Sequence, residues 1–445
     1  MTTFWCEYAW LPAAESATPA SRVRITVDAG RIVAVEAGAD PAPGDTRLAG
    51  LVLPGFANAH SHAFHRALRG RTPEQGGSFW TWRKQMYAVA ARLDPGRYLA
   101  LARATYAEMA LAGVTCVGEF HYLHHPAGGG RYADPNAMSE ALVQAAADAG
   151  VRLTLLDTCY LSGGLEAGGH LPLDDVQVRF SDGDPDAWAA RRAALPQRNG
   201  LVVGAAVHSV RAVPAEALPR VVAATGEAPL HVHLSEQRGE NEACRAFYGS
   251  TPTELLAAAG ALGPSTAAVH ATHLTAADIT TLGGSGTAVC ACPSTEADLA
   301  DGVGPFPRLR DAGSPLCLGS DQHSAIDLLG EARLMAAHEQ LVTGRRGAFG
   351  AAELTDALTV NGHRSLGWSD AGRIATGQRA DLVALRLDST RTAGCPPGQL
   401  VPVATAADVH TVVVDGRVVV TDGQHVLGDV GRLLADAIEP LWRNA

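Results

Sequence analysis

The 445-residue sequence contains no run of basic residues. Its formal net charge is -11, and because a phosphate backbone is bound by clustered cations that displace counterions, no nucleic-acid partner is expected. The chain also lacks segments of low hydrophobicity and dense charge. With 47% apolar and 18% charged residues, it should fold throughout. Met1 to Leu11 has neither a basic start nor a sustained apolar run, and it carries Glu7. No signal peptide, no membrane partner and a cytoplasmic location are therefore expected. Paired cysteine motifs are missing as well. Cys6, Cys116, Cys159, Cys244, Cys290, Cys292, Cys317 and Cys395 are scattered singly through apolar stretches, and Cys290 and Cys292 are too close for a CxxC motif. Buried free thiols are the expectation.

What is present is a change of pattern along the chain. In the opening 50 residues two β-branched runs flank Asp28-Ala-Gly30, and late in the chain Thr411-Val-Val-Val-Asp-Gly-Arg-Val-Val-Val brackets another Asp-Gly turn. Both are hairpin patterns, and two β-rich ends predict one small sheet domain assembled from both. Between Leu51 and Leu366, short apolar runs alternate with helix-like segments rich in Ala, Leu and Arg. Eight candidate strands begin near Leu51, Val114, Arg152, Leu201, Pro229, Ala267, Ala288 and Pro315. That repetition predicts a (β/α)8 TIM-type barrel, α/β in class, with its chemistry at the C-terminal strand ends. The expected organisation is 1–52 and 370–428 as the two parts of a β-sandwich, 53–369 as the barrel, and 429–445 as a C-terminal helix.

The strand ends are rich in imidazole and carboxylate. The first reads Pro54-Gly-Phe-Ala-Asn-Ala-His60-Ser-His62, whose two histidines share a side in extended backbone, a spacing that suits a metal. The fifth reads Leu230-His231-Val-His233-Leu-Ser-Glu236, the sixth Val269-His270-Ala-Thr-His273, and the eighth Leu316-Cys-Leu-Gly-Ser-Asp321. Singly, each has a dull reading as a strand-end residue bonded to a carbonyl. Four of them together on strands one, five, six and eight are hard to dismiss as a metal site. Spacing does not decide between His231 and His233.

These motifs resemble the deaminase branch of the amidohydrolase superfamily over nearly the whole chain. By that resemblance His60, His62, His233 and Asp321 are the metal ligands, His231 is a packed strand residue, and the terminal β segments are the accessory β-sandwich. Two-metal relatives usually need a carboxylated lysine at the end of strand four. The only lysine here is Lys84, and the fourth strand ends Ala206-Val-His208-Ser-Val-Arg211, so one Zn²⁺ is expected. The resemblance further implies that water activated at the metal attacks a C=N carbon, with Asp321 accepting its proton, His270 orienting the tetrahedral centre and Glu236 protonating the departing nitrogen.

Arg83 in Phe79-Trp-Thr-Trp-Arg-Lys-Gln-Met-Tyr87, Tyr122 after strand two and His208-Ser-Val-Arg211 after strand four suit a carboxylate substrate, since arginine forks bind carboxylates through paired hydrogen bonds. Within the superfamily these segments resemble the N-formimidoyl-L-glutamate deiminases of histidine degradation. That implies a small anionic amidine substrate gripped by Arg83, Tyr122, His208 and Arg211. His65 joins them, standing where that family often has glutamine. A deaminase of another amidine, guanidine or heterocyclic amine, and a non-catalytic scaffold of the same fold, are the alternatives. His124 and His125 are expected to be loop residues, His323 a support for the metal site, and the enzyme a homodimer.

Overall fold

The computed structural model describes residues 1–12, 18–71 and 79–443, with Phe79 and Trp80 as backbone alone. Eight parallel strands form one sheet: β1 (Phe56–Ser61), β2 (Val114–His121), β3 (Arg152–Cys159), β4 (Leu201–Val207), β5 (Leu230–Leu234), β6 (Thr266–His270), β7 (Ala288–Ala291) and β8 (Leu316–Leu318). They pair in chain order, and nearly all their residues are buried, as strands covered on both faces require. The cylinder closes just beyond β8, where Ser61 and Asp321 form a parallel bridge. Asp321 N donates to His60 O at 3.0 Å, and His62 N donates to Asp321 O at 3.3 Å. The seam of the barrel is thus sewn by backbone of the residues whose side chains matter most.

Helices between the strands start where their sequences say they should. Asp94 accepts from Arg97 N at 2.9 Å ahead of Pro95–Leu111, which has proline in its first turn. Thr251 with Glu254, and Thr275 with Asp278, form capping boxes. The last helix, Val430–Trp442, packs against Pro95–Leu111, and Trp442 Nε1 donates to Ala67 O at 3.0 Å. No described helix is long and apolar enough to cross a membrane.

The second sheet also has eight strands, and it draws on both ends of the chain. Thr2–Ala9, Ala20–Asp28, Arg31–Glu36 and Thr46–Pro54 join Leu382–Leu385, Val409–Val414, Arg417–Thr421 and Gln424–His425. The union is made where Leu51–Pro54 pairs antiparallel with Leu382–Leu385. Phe4 and Ile25 from one half share an apolar cluster with Leu382 and Val413 from the other. Both Asp-Gly-type turns have positive φ at their two central residues, 47° and 81° at Ala29-Gly30 and 47° and 74° at Asp415-Gly416, the geometry that matches strand twist in tight hairpins. One sequence expectation is corrected here. The strand containing Leu51 belongs to this sheet, and the first barrel strand begins at Phe56. The apolar run serves two sheets in succession, broken at Gly55, where a Cβ would lie 2.3 Å from Thr115 Oγ1.

At the N-terminal mouth of the barrel Arg152, at the start of β3, pairs with Asp381 on the second sheet through Nη1–Oδ1 at 2.8 Å and through Nη2–Oδ2. Arg152 also reaches Asp415 at 3.2 Å. The Trp368 ring lies 5.1 Å from the Arg152 guanidinium and 4.8 Å from that of Arg379, so cation–π contacts reinforce the ion pairs.

Candidate active site

At the C-terminal mouth four buried side chains converge. His60 Nε2 lies 3.1 Å from His233 Nε2 and 3.4 Å from Asp321 Oδ1, and His62 Nε2 lies 3.5 Å from the same oxygen. A tetrahedral zinc with bonds of about 2.05 Å has edges of about 3.3 Å, so these separations are those of ligands around one small ion. His62 Nδ1 bonds the Phe120 carbonyl and His233 Nδ1 the His208 carbonyl, each at 2.9 Å. A neutral ring that donates through Nδ1 has its lone pair on Nε2, aimed at the centre. Burial, reinforced by neighbouring imidazoles, holds His60 and His233 far below the usual histidine range and His62 at about 3. The rings are therefore neutral and fit to ligate. Two such nitrogens facing each other repel unless a cation lies between them, and the donor set fits zinc.

His231, one turn of the pleat below His233, bonds Ser365 O at 3.0 Å instead. His323 bridges Ser320 Oγ at 2.9 Å and Ser61 Oγ at 3.3 Å, beside the seam. Lys84 is exposed on the helix Phe79–Ala90.

Around the centre stand three acids and a fourth imidazole. His270 Nε2 is 3.8 Å from both Asp321 Oδ2 and Glu236 Oε1, while its Nδ1 is 3.4 Å from Glu296 Oε1. Burial alone would lower the His270 pKa, but the Glu296 hydrogen bond and the charges of Glu236 and Asp321 outweigh it and raise it to about 10. Its Nδ1 is engaged by Glu296, and the His60, His233 and His270 rings also lie within ligand reach of one another. Backbone strain collects here too. Ser235, His270, Ala271, Asp321 and His323 all have positive φ, between 43° and 67°, a conformation costly for non-glycine residues and typical of sites held by their surroundings.

A cavity of about 410 Å³ opens onto these groups, lined among others by His62, His65, Arg83, Tyr122, His208, Arg211, Glu236, His270 and Asp321. Every side chain singled out as a ligand, catalytic group or substrate contact therefore borders one space or, for His60, the ion position beneath it. His65 Nε2 is 3.1 Å from Tyr122 OH. Arg83 Nε donates to Tyr87 OH at 2.6 Å, and Arg211 Nη2 to Glu236 Oε2 at 3.0 Å. Sequence reasoning missed Tyr160, whose ring lies 4.6 Å from that of His208 and whose hydroxyl accepts from Gln177 Nε2 at 2.9 Å. It also missed Glu296 and Glu240. The latter sits 3.3 Å from Arg211 Nε, but an acid in a helix's first turn reads as an ordinary partner for the helix dipole.

A second group has ligand-type atoms within reach of one another: His121, His124 and Asp157. It lies outside the barrel wall, because alternation along β2 turns Phe120 and Tyr122 inward against His62 and sends His121 towards Tyr98. Arg191 already grips both Asp157 oxygens at 2.8 Å, and Trp188 Nε1 adds a bond at 2.9 Å. His124 is tied to Thr158 O at 2.9 Å, and His125 to Asp182 at 2.9 Å. A guanidinium occupies the place of a cation there, and the arrangement is structural.

The barrel, the seam and the histidine-aspartate centre define a metal-dependent hydrolase. The chain belongs to the amidohydrolase family, whose model matches residues 51–419. A formimidoylglutamate deiminase from Pseudomonas aeruginosa is 36% identical over 86% of this chain and 86% of its own length. An amidohydrolase from Brucella melitensis superposes with a TM-score of 0.91 at 32% identity, covering 99% of this chain and 100% of that one. An adenosine deaminase from Xanthomonas campestris with bound zinc gives 0.82 at 25% identity, covering 99% and 97%. The chain is a hydrolase acting on C–N bonds, in a superfamily branch of deaminases.

Proposed function

We propose that this enzyme deiminates N-formimidoyl-L-glutamate to N-formyl-L-glutamate and ammonia, with one zinc ion held by His60, His62, His233 and Asp321. The observation that carries the reading is the pairing, in one cavity, of a small-ion donor set with two arginines, Arg83 and Arg211. The similarity to a formimidoylglutamate deiminase supports the same substrate, and the zinc of the related adenosine deaminase supports the metal. Zinc in this position supplies Lewis acidity and water acidified towards neutral pH.

The chain's own groups do the rest. Asp321 accepts the water proton as oxygen adds to the C=N carbon. His270, set among Glu296, Glu236 and Asp321, donates to the developing tetrahedral centre. Glu236 holds the cationic amidine nitrogen. The proton taken by Asp321 passes to that nitrogen, the C–N bond breaks to release ammonia, and the hydroxyl proton returns to Asp321 as the formyl C=O forms. Arg83, Tyr122, His208 and Arg211 orient the carboxylates, with His65 fixing the Tyr122 hydroxyl. Ammonia release from N-formimidoyl-L-glutamate by metal-analysed protein tests the reading. Turnover of adenine or guanine derivatives in preference to the dicarboxylate would replace it with a heterocyclic-amine deaminase.

A further inference from the structure

Glu236 has two demands on it. On the proposed mechanism its carboxylate must turn to the departing nitrogen, yet in the structure Oε2 is held by Arg211 Nη2 at 3.0 Å. Arg211 is in turn shared with a second acid, its Nε lying 3.3 Å from Glu240 Oε2. The two acids differ in mobility. Glu240 belongs to the first turn of the helix Arg238–Tyr248, is fully buried, and accepts from Ser235 N at 3.4 Å. Glu236 lies in the segment between β5 and that helix and borders the cavity. Its other oxygen faces His270 Nε2 at 3.8 Å. One carboxylate is an anchor and the other is a member of the reacting set.

We propose that Arg211 is exchanged between Glu236 and a carboxylate of the substrate, while Glu240 stays on Nε as its positioning residue. The idea rests on the function proposed above. The exchange is close to neutral in charge: Arg211 trades one carboxylate for another, and Glu236 trades a guanidinium for the cationic amidine. Both partners keep charge-assisted bonds throughout, which a partly buried guanidinium requires. Binding energy from a remote part of the substrate is thereby spent on freeing a reacting group, so the carboxylate governs turnover and not affinity alone.

The test divides the substrate into two pieces. Holoenzyme is given formamidine, the amidine half without carboxylates, with and without millimolar glutarate, the five-carbon dicarboxylate half. Exchange requires glutarate to raise kcat saturably, by about tenfold or more, and requires Arg211→Met to lose that response. A wild-type rate indifferent to glutarate, or an Arg211→Met rate that still climbs with it, overturns the exchange. Glu240→Gln should raise KM for N-formimidoyl-L-glutamate about tenfold, with kcat within about threefold and zinc content unchanged, and Glu240→Asp should recover most of the loss. An unchanged KM removes Glu240 from the scheme. Should Glu240→Gln fail to fold, the glutarate measurement on unaltered protein still decides the exchange. Absence of any turnover of N-formimidoyl-L-glutamate defeats the proposed function itself, a result distinct from normal turnover without glutarate activation.

Discussion

The two mouths of the barrel are built from the same kinds of residue and treat them oppositely. At the N-terminal mouth every charge is answered: Arg152 by Asp381 and Asp415, Arg379 by Asp370 and Asp415, with Trp368 stacked between the guanidinium groups. At the C-terminal mouth three neutral imidazoles and a carboxylate are pressed together, and among the described residues no arginine or lysine ion pair to Asp321 is found. The first arrangement fastens the accessory sheet to the barrel. The second is poor as protein structure and good as a receptacle, which is the division of labour expected of this architecture.

Substitutions at the two ends should separate cleanly. On the proposed mechanism Asp321→Asn removes a ligand and the proton acceptor together, and turnover should fall about 10⁴-fold, equivalent to about 5.5 kcal/mol, with the thermal midpoint little changed. A variant that keeps more than a few per cent of the rate would show that Asp321 has no such role. Arg152→Met should do the reverse. It strands Asp381 in a buried setting and should cost about 3–5 kcal/mol in denaturant unfolding, with kcat preserved in the folded fraction.

A third measurement uses pH on a group at the N-terminal mouth. Burial, ahead of the nearby Arg152 charge, pushes His363 down to about 4. The unfolded chain takes up a proton near pH 6.5 that the folded protein refuses until about 4. His363 should therefore contribute on the order of 3 kcal/mol to the loss of stability as pH falls through that window, beside other buried neutral histidines such as His231, also held at about 4. His363→Asn should make the slope between pH 6.5 and 4 shallower by about one proton, measured by unfolding at fixed temperature. A slope unchanged by the substitution would show that His363 does not contribute to it.

The smallest effect should come from the flank. His121→Asn alters a group with ligand-like spacing whose acid is already taken by Arg191, and metal content should stay at one ion per chain. A drop towards half of a higher wild-type value would place a second ion there and undo the contrast drawn with the C-terminal mouth.

Legibility followed locality. His60, His62, His233, His270 and Asp321 could be read because strand ends put them in short motifs, and periodicity located seven of the eight barrel strands close to their observed starts. The first barrel strand was begun too early, near Leu51 and not at Phe56, because an apolar run carries no mark of where one sheet ends and the next begins. Glu240, Glu296 and Tyr160 were invisible for a related reason. Each acts through a partner distant in sequence, Arg211, His270 and Gln177 with His208 respectively, and none stands in a pattern that an ordinary helix or strand residue would not also produce.

The seam between Leu51 and Leu385 has a consequence for biosynthesis. At ribosomal speeds of about 5–20 residues per second, some tens of seconds separate the emergence of its two edges. Throughout that interval Thr46–Pro54 offers an unpaired β edge to any neighbour, a recognised invitation to aggregation. Folding of the accessory sheet can finish only after the last barrel strand is made, so yield in a heterologous host should depend on chaperone supply during elongation more than on the final stability of the enzyme.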